Sequence, residues 1–169
     1  MKKIALILIG LGFSACAVLK TPVAVDIKPM DVNSFMAKPF VHGEAIGQFK
    51  DNMPERTKVQ KLIKRSPREH QVPDTIYNYT YKDSKISIYK TRFNQEFMLG
   101  GIVRNSEVEL ANGIKAGMLR DDFYRAFTDL IRTQQDTVVL EHKQIDRTFN
   151  FYFDKKGHLE KYTFTGSKK

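Results

Sequence analysis

Phe149-Asn150-Phe151-Tyr152-Phe153, the turn Asp154-Lys155-Lys156-Gly157 and the run Leu159 to Phe164 form the stretch on which the fold reading rests. Aromatic side chains at every second position match the two-residue period of a β-strand with one buried face. The turn carries Gly where a hairpin wants positive φ, so the stretch reads as two antiparallel strands. Working outward, Thr137 to Leu140 reads as a preceding strand. Before it, Phe123, Ala126, Phe127 and Leu130 fall at i, i+3, i+4 and i+7, the spacing of an amphipathic helix, behind Asp121-Asp122 at its positive end.

The first half of the chain echoes the second. Tyr77-Asn78-Tyr79-Thr80-Tyr81 repeats the aromatic-Asn-aromatic-x-aromatic pattern, Lys82-Asp83-Ser84 supplies a turn, and Ile86 and Ile88 alternate within Lys85 to Lys90. Glu96 to Arg104 reads as a third strand, with a bulge or tight bend at Gly100-Gly101. Pro54-Glu55-Arg56 followed by Val59, Leu62 and Ile63 predicts a short helix that stops before Pro67. The expected class is therefore α+β: an antiparallel sheet packed against a layer of short helices. The echo suggests a tandem duplication of a helix-plus-hairpin unit, over 54–104 and 112–165, although any hairpin with one buried face alternates in the same way.

The 169 residues, with 28 Lys+Arg against 19 Asp+Glu and a formal charge of +9, suit one modest domain. The charge points to anionic partners without choosing among them. A single Cys cannot close an internal disulfide. Lys2-Lys3, the apolar run from Ile4 to Leu11 and the small residues before Cys16 have the layout of an export signal. From Ile4 to Leu19 a helix would measure about 24 Å, short of a comfortable bilayer span.

Phe13-Ser14-Ala15-Cys16 resembles a bacterial lipoprotein lipobox. The resemblance implies cleavage between Ala15 and Cys16, acylation of Cys16 with palmitate-like chains, and, since Ala17 rather than Asp follows, sorting to the outer membrane on its periplasmic face. Several acyl chains, at about 0.8 kcal/mol per buried methylene, anchor a protein permanently. Removing residues 1–15 leaves 154 residues and an excess of +7, from 26 basic and 19 acidic side chains. Pro22, Pro29 and Pro39 recur without periodicity, so residues 16–45 are expected to be the lipidated Cys and a tether, and 46–169 the α+β domain. Phe35, Met36, Phe40 and Val41 within that tether are candidates for docking onto the domain or onto a partner.

Gly113-Ile114-Lys115-Ala116-Gly117-Met118, the following helix, a strand and the closing hairpin resemble the SmpA/OmlA (BamE-like) small lipoproteins and the related β-lactamase-inhibitor-protein-like fold. The resemblance covers 112–165. Gly117 and Met118 match the family's Gly-Met, while Leu119 stands where Ser or Thr normally caps the helix. It implies a helical layer on an antiparallel sheet, a role in binding envelope proteins, and no catalytic residues.

Motifs for catalysis are missing from the sequence itself. His42, His70, His142 and His158 form no metal-ligand spacing, no Gly-rich phosphate loop or cofactor fingerprint occurs, and no Gly-x-Ser-x-Gly elbow is present. Two surface features remain. Lys58, Lys61, Lys64 and Arg65 would lie along one side of the first helix, either as a solvated face or as a contact for anionic lipid or cell-wall polymer, with nucleic acid out of reach of an exported protein. Tyr77, Tyr79 and Tyr81 would be the half-buried face of a sheet or an aromatic interface. The sequence is thus read as a non-enzymatic envelope lipoprotein that binds an envelope protein as accessory or scaffold. The alternative is a periplasmic inhibitor of a hydrolase, using Thr91 to Gln95 or His142 to Arg147 as the inserted loop.

Overall fold

The computed structural model describes residues 27–64 and 74–166. Cys16, Ala15, Arg65 and His70 lie outside them. Among the described residues the chain forms α1 (Val32–Ala37), α2 (Ile46–Asp51), β1 (Lys58–Lys64), β2 (Asp74–Tyr81), β3 (Ser84–Lys90), β4 (Glu96–Val103), α3 (Arg120–Arg125), β5 (Thr137–His142), β6 (Arg147–Phe153) and β7 (Leu159–Thr165). All seven strands belong to one antiparallel sheet in the order β1-β2-β3-β4-β7-β6-β5. The expected α+β class is therefore corrected to a sheet-dominated fold, in which three helices of six residues each cap one face instead of forming a layer of their own.

Two helix expectations fail for separate physical reasons. Residues 58–64 are strand β1, paired with β2 over seven consecutive positions from Lys58↔Thr80 to Lys64↔Asp74. Pro54 to Thr57 closes a turn, Thr57 N–H donating to the Pro54 carbonyl at 2.9 Å, instead of starting a helix. Val59, Leu62 and Ile63 fit a helical spacing, but a helix that short is marginal in water and a neighbouring strand offers a full ladder. The helix predicted through Leu130 stops at Arg125. Met30 donates to the Ala126 carbonyl at 3.2 Å and accepts from Thr128 at 3.1 Å, so a bridge from the N-terminal segment takes the groups a further turn would need. Leu119 sits at its N-cap with no side-chain cap, as its lack of an acceptor requires. The helix-plus-hairpin unit is likewise corrected: each half is a short helix followed by a three-stranded meander, α2 then β1-β2-β3 and α3 then β5-β6-β7, with β4 between them.

The core is aromatic. β6 alternates strictly, burying Phe149, Phe151 and Phe153, and β7 adds Leu159, Tyr162 and Phe164. The Asp154 carboxylate accepts from the N–H groups of Lys156 and His158, fixing the hairpin that joins them. From the stretch expected as tether, α1 inserts Phe35 and Met36, both fully buried; the Phe35 ring meets Phe127 at 5.3 Å and Phe149 at 5.2 Å. Arg147, also buried, holds that segment down through the Met36 carbonyl at 2.7 Å and the Glu44 carboxylate at 2.8 Å. At Gly100 (φ +145°) the β3–β4 register shifts around Leu99, and a Cβ there would lie 2.5 Å from the Phe164 carbonyl oxygen, so β4 reaches β7 only with glycine at that place.

Candidate binding surface

The helices cover the sheet from β2 to β5 but do not reach β1. Tyr79, Ile86 and Ile88 are buried on the covered side, and Phe49 of α2 packs edge-on against Tyr79 at 5.6 Å between centroids. One strand further out, every described side chain of β1 is exposed on both faces; Val59, Leu62 and Ile63 are 42%, 44% and 62% exposed. β1 bonds to β2 alone among the described residues, and none of them pairs with its other edge.

The three tyrosines serve three different ends. Tyr79 is core: burial pushes its hydroxyl pKa up, and that hydroxyl has no hydrogen-bond partner among the described residues. Tyr77 is half-buried, and the Lys61 ammonium lies over its ring at 5.5 Å. Tyr81 turns toward the 105–110 loop, where Lys82 and Glu107 pair at 2.8 Å and the Lys82 hydrogen bond holds the Glu107 carboxyl below its ordinary range. The basic residues are redistributed too. On a strand, Lys61 stands on the helix side in register with Tyr77, whereas Lys58 and Lys64 occupy positions of the opposite parity, and they do not share one face.

The uncovered face of the sheet carries an apolar row in lateral register, Leu62↔Ile76↔Tyr89↔Phe97, running from β1 to β4. Ile76, Tyr89 and Phe97 are half-buried against each other, and the Tyr89 hydroxyl donates to Asp74. Asp74 also accepts from the Arg92 N–H at 2.9 Å, and Thr91 Oγ1 accepts from Phe93 and Gln95, so the β3–β4 loop is braced while Phe93 stands 70% exposed at its tip. The other loop, His142 to Arg147, is a short 3-10 turn (Lys143–Ile145) closed by Asp146 in the left-handed region and then by buried Arg147. A cleft of about 290 Å³ opens between Phe40–Gly43, Phe49, Met53 and Glu107–Glu109.

Among the described residues no group of three His, Cys, Asp or Glu side chains could hold a metal ion, and no helix is long and apolar enough to cross a membrane. Asp121 and Asp122 each pair with an arginine, Arg132 and Arg125, and so neutralise charge around α3. Comparison with protein-family models, curated proteins and solved structures gave no match. The strand β1 was missed in the sequence because Val59, Leu62 and Ile63 fit the helical spacing i, i+3, i+4 and do not alternate: Leu62 lies on the opposite face from Val59 and Ile63. The β-branched pair Val59 and Ile63 and the lysines at 58, 61 and 64 were the available signals for an edge strand.

Proposed function

We propose that this chain is a non-enzymatic lipoprotein of the bacterial envelope, cleaved before Cys16, acylated there, and held at the periplasmic face of the outer membrane as a protein-binding accessory or scaffold. The lipobox-like Ser14-Ala15-Cys16 and the apolar run before it support the anchor. Ile27 already packs against the core, and the Lys28 N–H donates to the Asn112 carbonyl at 3.4 Å. Residues 17–26 can then extend no more than about 40 Å, so the domain would work close to the bilayer. The observation that carries the binding role is β1: a strand that, among the described residues, is left bare on both faces and along one edge, with three apolar side chains exposed, is a surface that a partner stabilises by covering.

The inhibitor reading keeps one specific support, the braced loop that presents Phe93. Metabolic labelling with a clickable palmitate tests the anchor: wild type labels, and Cys16→Ser does not. A Cys16→Ser protein that still labels removes the lipoprotein proposal. Photocrosslinking residues introduced singly at Ile63, Phe93 and Val139 separate the roles. An adduct through Ile63 favours the scaffold, one through Phe93 alone favours the inhibitor, and none at any position removes the binding role.

A further inference from the structure

Resting on the protein-binding reading, we propose that the free edge of β1 takes up an extended, acidic segment of the partner as an eighth strand of the sheet. Strand addition needs an unpaired, regular edge, and among the described residues β1 provides one: seven residues in unbroken register with β2, with no glycine, proline or bulge among them. Most edges of this kind are shortened, bent or covered. Here only the side chains discriminate.

Those side chains choose the occupant. A second copy pairing antiparallel over all seven residues would set Lys61 against Lys61 and Lys58 against Lys64, and like charges directly opposite each other destabilise a ladder. The other outer strand, β5, offers a single carboxylate, Glu141, so pairing between edges of two copies is poorly matched as well. An acidic strand reverses the sign. Its carboxylates would lie opposite Lys58 and Lys61, and its apolar side chains opposite Val59, Leu62 and Ile63. The Lys61 ammonium lies over the Tyr77 ring at 5.5 Å, which holds it against the sheet while it stays exposed to an incoming carboxylate. The main chain supplies affinity and the lysine spacing supplies choice.

The test uses the full chain in neutral detergent and an end-blocked heptapeptide, Glu-Val-Val-Glu-Thr-Val-Glu, whose carboxylates match the lysine spacing in antiparallel register. Saturable binding is expected, with slowed amide exchange at Val59 to Ile63 and unchanged exchange in β5. Lys58→Glu/Lys61→Glu should weaken binding about tenfold with its melting temperature lowered only slightly, since both lysines are exposed and only the Lys61 contact with the Tyr77 ring is lost. A peptide with Lys in place of each Glu should then bind the variant better than the parent. Peptide binding without protection of β1, or undiminished in the variant, overturns the proposal. So does occupation of Lys58 and Lys61 only by vesicles containing phosphatidylglycerol, or concentration-dependent self-association that protects β1. If the peptide fails while the Ile63 crosslink to a protein persists, strand addition falls and the binding role stands; if the crosslink also fails, both fall.

Discussion

Replacing Arg147 by Met probes how residues far apart in sequence become one body. The guanidinium, its side chain 8% exposed, donates to the Met36 carbonyl at 2.7 Å and to the Glu44 carboxylate at 2.8 Å, bridging 111 and 103 residues of sequence. Methionine fills similar volume but leaves a buried carbonyl and a carboxylate without their donor. Removing one member of a buried pair costs about 3–5 kcal/mol. Glu44 keeps 28% of its side chain in water, which recovers part of that cost, so the expected loss is about 2–4 kcal/mol. Glu44→Gln keeps an acceptor for the guanidinium and should cost about 1 kcal/mol. The double variant should then be no less stable than Arg147→Met alone, because the orphaned carboxylate is gone. Urea unfolding followed by circular dichroism, extrapolated linearly, measures all three. An Arg147→Met protein within about 0.5 kcal/mol of the parent refutes the clamp.

Phe35→Ala empties a fully buried ring site between Phe127 and Phe149 and should cost about 3–5 kcal/mol by the same assay. Gly100→Ala places a Cβ 2.5 Å from the Phe164 carbonyl oxygen at a backbone φ of +145°, so the melting temperature should fall clearly, whereas Gly47→Ala, with open space around it, should leave it unchanged or raised. Leu62→Thr and Ile63→Thr, both on the bare strand, should shift stability by less than about 1 kcal/mol, which a thermal melt will resolve. Hydrogen bonds hold the carboxyl pKa values of Asp31, Asp154 and Glu107 below their ordinary values. Their stabilisation is present above the ordinary carboxylate range and lost as pH falls through and below it, so melts should decline on acidification below about pH 4.5. Glu44 runs the other way. Burial, partly offset by Arg147, raises its pKa, so its contribution is greatest in acid and is lost as pH rises through the raised value; Glu44→Gln should steepen the acid decline.

The C-terminal hairpin was legible because two independent signals agree there: aromatic alternation along β6 and an Asp–Gly turn whose Asp154 ties down the following amides. The same logic found Tyr77 to Tyr81 and the bend at Gly100. What could not be read is whatever depends on partners distant in sequence. Val59-Gln60-Lys61-Leu62-Ile63 has a helical spacing and no clean alternation, so only the ladder with β2 makes it a strand, and the helix after Asp121 is cut short by Met30, some 95 residues earlier. Arg147 carries no periodic signal, since its role lies in carbonyl and carboxylate groups delivered by α1 and the turn after it. Of the candidate site, Tyr77, Tyr79 and Tyr81 stand on the strand expected for them, whereas Lys58, Lys61 and Lys64 stand on strand β1 in place of the expected helix. Their charge was visible; the free edge that gives it meaning was a property of the sheet order.

The account depends most on what meets β1 in the envelope. A photocrosslinking residue at Ile63 of the full-length chain, expressed in its native membrane, followed by mass-spectrometric sequencing of the attached peptide, addresses it directly. The expected product is one partner protein joined through an extended segment rich in Asp and Glu. A crosslink to lipid, to a second copy of this chain, or to a basic or helical segment contradicts the account.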